Sequence, residues 1–94
     1  MRPMRKILPL GRMVATPGAL HALMLAGENA LVYLARHASG DWGVVSPEDA
    51  CANELARETG ERILSAYRLR DGTKLWIITE ADRSSTCILL PEEY

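Results

Sequence analysis

"ERILSAYRLRDGTKLWIITEADRSSTCILLP", Glu61 to Pro91, decides how this chain folds. Its apolar residues recur at every second position, the period of a pleated strand rather than a helix. Asp71-Gly72 interrupts the pattern once and Ala81–Ser84 interrupts it again. Both are turn compositions, and Pro91 stops the third run. The stretch reads as three antiparallel strands. A two-residue Asp71-Gly72 loop puts Tyr67 opposite Trp76 and Ser65 opposite Ile78. A four-residue Ala81–Ser84 loop puts Ile78 opposite Cys87 and Trp76 opposite Leu89. One face then carries Ile63, Tyr67, Trp76, Ile78, Cys87 and Leu89. The other carries Leu64, Ala66, Leu75, Ile77, Ile88 and Leu90. Both faces are apolar and both need cover, although one face of an antiparallel sheet is commonly wet.

Upstream the period is helical. "TPGALHALMLAG" has Thr16 as a cap, Pro17 at the first helical position and Gly27 as the stop, with Leu20, Leu23 and Met24 as the core stripe. "ENALVYLARHASG" is a second helix, capped by Asn29 and ended before Gly40, with Leu31, Leu34 and Ala35 facing inward. The short connection makes the two an antiparallel or sharply angled pair. "SPEDACANELARETG" is a third helix, with Ser46 as cap and Asp49 in the capping-box position. Its apolar residues are few and small, so it lies on a surface. The expected fold is α+β: three helices in the N-terminal half packed on a three- or four-stranded antiparallel β-meander. Residues 1–13 read as a basic arm with room for a short strand, and residues 14–94 as a single domain.

Ninety-four residues bury a limited core, so a partner subunit would add stability. A net charge of −1 and a pI near 6.1 argue against a dedicated electrostatic DNA binder. Arg2, Arg5, Lys6 and Arg12 nevertheless stand together near the start with no acid among them. The apolar run Ile7–Leu10 is too short for a signal peptide, and nothing approaches a membrane span. Cys51 and Cys87 lie in apolar patterns and read as buried thiols in a reducing cytoplasm. No metal-ligand spacing and no cofactor motif occurs.

Three places have residue types suited to chemistry. In "EADRS", Glu80 and Asp82 stand beside Arg83, as a base stands beside a phosphate clamp; the plainer reading is a hairpin turn. In "ARHASGDWG", His37 ends a helix and Asp41 follows at a distance that could orient its imidazole. Trp42 in the Gly-flanked loop is a candidate anchor for a partner. The plainer reading is a helix C-cap over a packed Trp. In "ERILSAYRLR", Arg62, Ser65, Tyr67, Arg68 and Arg70 could touch RNA, or merely protect an edge strand.

The motifs "TPGAL", "LARHASGDWG", "RILSAYR", "WIITEADRSST" and "ILLPEEY" resemble a family of small uncharacterised bacterial proteins carried on plasmids and integrative elements. The likeness runs from about Val14 to Tyr94. It implies a mobile-element setting, with accessory, antitoxin or counter-defence roles, and assigns no catalytic role to any residue of this sequence.

The leading expectation is a cytoplasmic, non-enzymatic protein-binding module. It would dock on a protein partner or on a second copy through Asp41, Trp42, Tyr67, Trp76, Asp82 and Arg83. One alternative is a small metal-independent ribonuclease with the layout of barnase and RelE-like toxins, using His37, Glu80 and Arg83. The weaker alternative is a nucleic-acid-binding module that uses the basic arm and the arginine strand.

Overall fold

The computed structural model describes residues 7–94. Strand β1 (Arg12–Ala15) is followed by helices α1 (Pro17–Ala26), α2 (Ala30–Ala38) and α3 (Pro47–Thr59). Strands β2 (Ile63–Arg68), β3 (Lys74–Thr79) and β4 (Ser85–Leu89) follow, and a 3₁₀ turn spans Pro91–Glu93. The α+β architecture stands. The sheet is mixed, however, with order β1-β4-β3-β2 and β1 parallel to β4. A purely antiparallel meander misses β1: three helices carry the chain from β1 to the opposite edge at β2, and the meander then brings β4 back to lie parallel beside β1. Of the expected arm, Arg2, Arg5 and Lys6 lie outside the described residues. Leu8 is buried with Trp42, Ala56 and Ile63, and its N–H donates to the Ala38 carbonyl, so this part of the arm is built into the domain.

The helix ends follow their capping residues. Thr16 Oγ1 accepts from the Ala19 N–H, Asn29 from Leu31, and Ser46 from Asp49. Helices α1 and α2 meet at 109°. Their inward residues are Ala19, Leu23 and Ala26, then Tyr33, Leu34, His37 and Ala38. Leu20, Met24, Leu31 and Ala35, expected in the core, are exposed instead.

The second hairpin keeps the expected register, with Ile78 opposite Cys87 and Trp76 opposite Leu89. The first is shifted by one residue. Tyr67 pairs with Leu75, Ala66 with Trp76 and Ser65 with Ile77. The cause is the loop. Leu69 N–H bonds the Thr73 carbonyl, which leaves a three-residue loop, Arg70 to Gly72, with Gly72 at φ 90°. A three-residue loop ending in a left-handed glycine competes directly with the two-residue turn read from Asp71-Gly72. A slip of one exchanges the faces of β2. Ile63, Ser65, Tyr67, Leu75, Ile77, Thr79, Thr86 and Ile88 now share the helix-covered face and are all buried. Leu64, Ala66, Trp76, Ile78, Cys87 and Leu89 share the other. Tyr94 reaches over that face and sets its ring edge-on to Trp76 at 5.6 Å.

The outer edge of β2 is closed by side-chain and loop groups. The Asn53 amide donates to the Leu64 carbonyl at 2.7 Å and accepts from its N–H at 3.3 Å, completing the hydrogen bonding that a neighbouring strand would supply. One step along, Ala66 donates to the Trp42 carbonyl and accepts from the Val44 N–H. These bonds cap an edge that would otherwise template further strands.

Candidate functional site

His37 lies at the centre of a buried polar chain. It is fully buried, with Nδ1 2.5 Å from Ser65 Oγ and Nε2 2.8 Å from Thr79 Oγ1. Thr79 Oγ1 is 2.8 Å from Thr86 Oγ1, and the Thr86 hydroxyl donates to the Leu10 carbonyl at 2.7 Å. A hydroxyl has one proton to give, so that last bond fixes the two before it. Thr86 must accept from Thr79, and Thr79 must accept from His37 Nε2–H. Full burial keeps the imidazole neutral near pH 7, so Nε2 holds its one proton and Nδ1 accepts from the Ser65 hydroxyl. Burial, together with the nearby Arg83 charge, holds its pKa at about 4. A group so enclosed reaches no substrate.

Asp41 does not orient His37. Its carboxylate pairs with Arg36 at 2.6 Å and accepts the Gly43 N–H, and the Arg36 bond leads the causes that hold its pKa below the ordinary value. Arg36 in turn lies 4.8 Å over the Tyr67 ring, and the Tyr67 hydroxyl donates to the Asp41 carbonyl. Tyr67 is buried, and burial pushes its pKa to about 12. Trp42, expected as an exposed anchor, is also buried. Its indole N–H donates to Glu54 and its ring stands edge-on to His37 at 5.8 Å. The "GDWG" motif is thus a structural joint between α2, α3 and β2.

"EADRS" is a turn with an unusual clamp. Asp82 Oδ1 accepts the Ser84 N–H, the short-range bond that aspartate supplies in turns. Arg83 has φ 61°, and its guanidinium donates to the carbonyls of Ala56, Glu61, Glu80 and Ala81 at 2.7–3.3 Å. It ties the C-terminal end of α3 to the β3–β4 turn, where cations suit the helix dipole. Glu80 pairs at 3.7 Å with Arg62 in a half-exposed bridge. Arg83→Ala is expected to cost about 2–3 kcal/mol, and Arg83→Lys to recover little, because a point charge cannot reproduce the fork. Urea unfolding checks this: the midpoint should fall with an unchanged slope.

His37, Glu80 and Arg83 are therefore engaged separately, the first out of reach of solvent and the third saturated by carbonyls. Of the expected contact residues, Trp42 and Tyr67 are buried. Asp82 is exposed, and Trp76 is half-buried under Tyr94. Cys51 is exposed and Cys87 half-buried, which corrects the expectation that both are buried; both are free thiols.

The open chemistry lies where the sequence pointed to core. The outward faces of α1 and α2 carry Leu20, Met24, Leu25, Leu31 and Val32, each 53–69% exposed. Summed, five large side chains at that exposure present on the order of 500–600 Å² of apolar area, as much as the largest single patch on a typical monomer. The composition of α1 could have revealed this. "PGALHALMLA" has no charged residue on any face, and a helix apolar all round is either fully enclosed or partnered. Among the described residues no single helix is long and apolar enough to cross a membrane, although the bent α1–α2 pair taken together meets that test of length and composition. No group of His, Cys, Asp and Glu among the described residues could hold a metal ion. No family model, no curated protein and no solved structure matches the chain.

Proposed function

We propose that this protein is a non-enzymatic protein-binding module that docks through the outer face of the α1–α2 pair. A second copy of the chain is the partner that this face fits most directly. The observation that carries the reading is the exposed set Leu20, Met24, Leu25, Leu31 and Val32 on two adjoining helices. The set contains no charge, so two copies meet without electrostatic conflict in an isologous contact. Two such faces together bury about 1,000–1,200 Å², the threshold for a specific interface. The separate engagement of His37, Glu80 and Arg83 also favours binding over catalysis. The motif resemblance gives this docking an accessory, antitoxin or counter-defence role on a mobile element. Two free thiols suit a reducing cytoplasm as its place of action.

The Met24 methyl group, 69% exposed on this face, provides the test. Its resonance should move with protein concentration, and adding Leu31→Glu should stop the movement while leaving the circular dichroism spectrum unchanged. A Met24 signal that is constant from micromolar to millimolar protein would refute docking between copies.

A further inference from the structure

The sheet face turned away from α1 and α2 has a different character. Its centre is aromatic: Trp76 is half-buried, and Tyr94 is 64% exposed. Tyr94 is fixed in place, because Arg62 donates to its hydroxyl at 2.6 Å and lies 5.4 Å from its ring centroid. One end of the face holds Arg68 directly opposite Lys74, both exposed. Like charges in a cross-strand pair repel each other. Among the described residues no carboxylate forms an ion pair with either, so this repulsion is unrelieved. The other end holds Arg62, and the register puts Arg12 on the same face beside Ser85. Glu80 faces Arg62, while Glu93 is turned to Thr16 and the Leu90 N–H.

We infer that this face binds a single-stranded oligonucleotide, with a base stacked on Tyr94 beside Trp76 and phosphates at the Arg68–Lys74 pair and at Arg62. Charge complementarity selects the ligand. Cations at both ends of an aromatic centre match a strand with phosphates flanking its bases. The strand rise puts the two cationic ends about 20 Å apart, room for about four nucleotides, the lower end of a single-strand site. A duplex keeps its bases stacked and cannot use the tyrosine. The surface lies opposite the proposed docking face, so it stands or fails independently of that reading.

The test uses fluorescein-labelled ten-nucleotide oligo-U and oligo-dT, with a duplex of equal length, and measures anisotropy on the full chain. Single strands should bind and the duplex should bind at least tenfold more weakly. Binding should fall roughly tenfold to twentyfold between 50 and 200 mM salt, as three neutralised phosphates require. Tyr94→Ala should weaken binding about tenfold, and Arg68→Glu with Lys74→Glu should abolish it. Preference for oligo-U over oligo-dT would assign RNA, and the reverse DNA; either supports the site. The Trp76 indole N–H resonance should move on titration and that of Trp42 should not. Equal duplex binding, no binding at 100 µM protein, or movement of Trp42 alone would overturn the inference.

Discussion

Replacing His37 by alanine is expected to destabilise the protein by about 3–5 kcal/mol, a large part of the stability a domain of this size possesses. Two effects combine. A fully buried ring is lost and leaves a cavity, and the Ser65 and Thr79 hydroxyls lose their partner inside the core. The same residue predicts a pH dependence. The folded state holds the imidazole neutral, with a pKa of about 4 against an ordinary 6.5. Between these values the unfolded chain binds the proton and the folded one does not, so stability falls as the pH is lowered from 6.5 to 4. The loss approaches about 3 kcal/mol at the lower end. Chemical denaturation at several pH values checks both statements. His37→Phe, which keeps most of the volume, should remove this component of the acid sensitivity.

Gly43→Ala is expected to be comparably severe, at about 3 kcal/mol or more. Gly43 has φ 75°, and a Cβ placed there would lie 1.9 Å from the Ala66 carbonyl oxygen and 2.7 Å from Tyr67 Cδ1. Neither neighbour can yield: the carbonyl accepts the Val44 N–H, and the ring is fixed between Arg36 and the Asp41 carbonyl. The 42–44 segment would lift off the β2 edge, the Ala66 and Val44 amides would lose protection from hydrogen exchange, and the freed edge would promote aggregation. Gly72→Ala is the control. It also has positive φ, but open space surrounds it, and it should cost about 1 kcal/mol.

Local rules made the helix ends legible in the sequence. Thr16, Asn29 and Ser46 each cap as their side chains dictate, because a cap depends only on groups within three residues. The β3–β4 register was legible for the same reason. The β2–β3 register was not, because two loop lengths fit the same Asp71-Gly72 pair and tertiary packing chose between them. That choice buries Ser65 and Tyr67 and turns Arg68 to the open face with Lys74. The pairing of β1 with β4 spans most of the chain and leaves no local mark. His37 shows the limit for sites. The sequence places a histidine in the last turn of a helix, but only the fold brings Ser65 and Thr79 to its two nitrogens. Trp42 misleads similarly, since glycines around an aromatic mark a tight joint as readily as an exposed tip. The charge-free composition of α1 stands in the sequence, yet helix periodicity assigns Leu20, Met24 and Leu31 to a core that Ala19, Leu23, Tyr33 and Leu34 already fill.

Sedimentation equilibrium of the wild-type protein beside Leu25→Glu tests the central claim most directly. Leu25 is 68% exposed, so the substitution leaves the fold of a single copy undisturbed while placing a carboxylate within the proposed interface. The account predicts a wild-type protein that is monomeric at low micromolar concentration and dimeric by 100 µM, and a folded monomer for Leu25→Glu at every concentration. A wild-type protein that remains monomeric at 100 µM, or a Leu25→Glu variant that dimerises as well as the wild type, would contradict it.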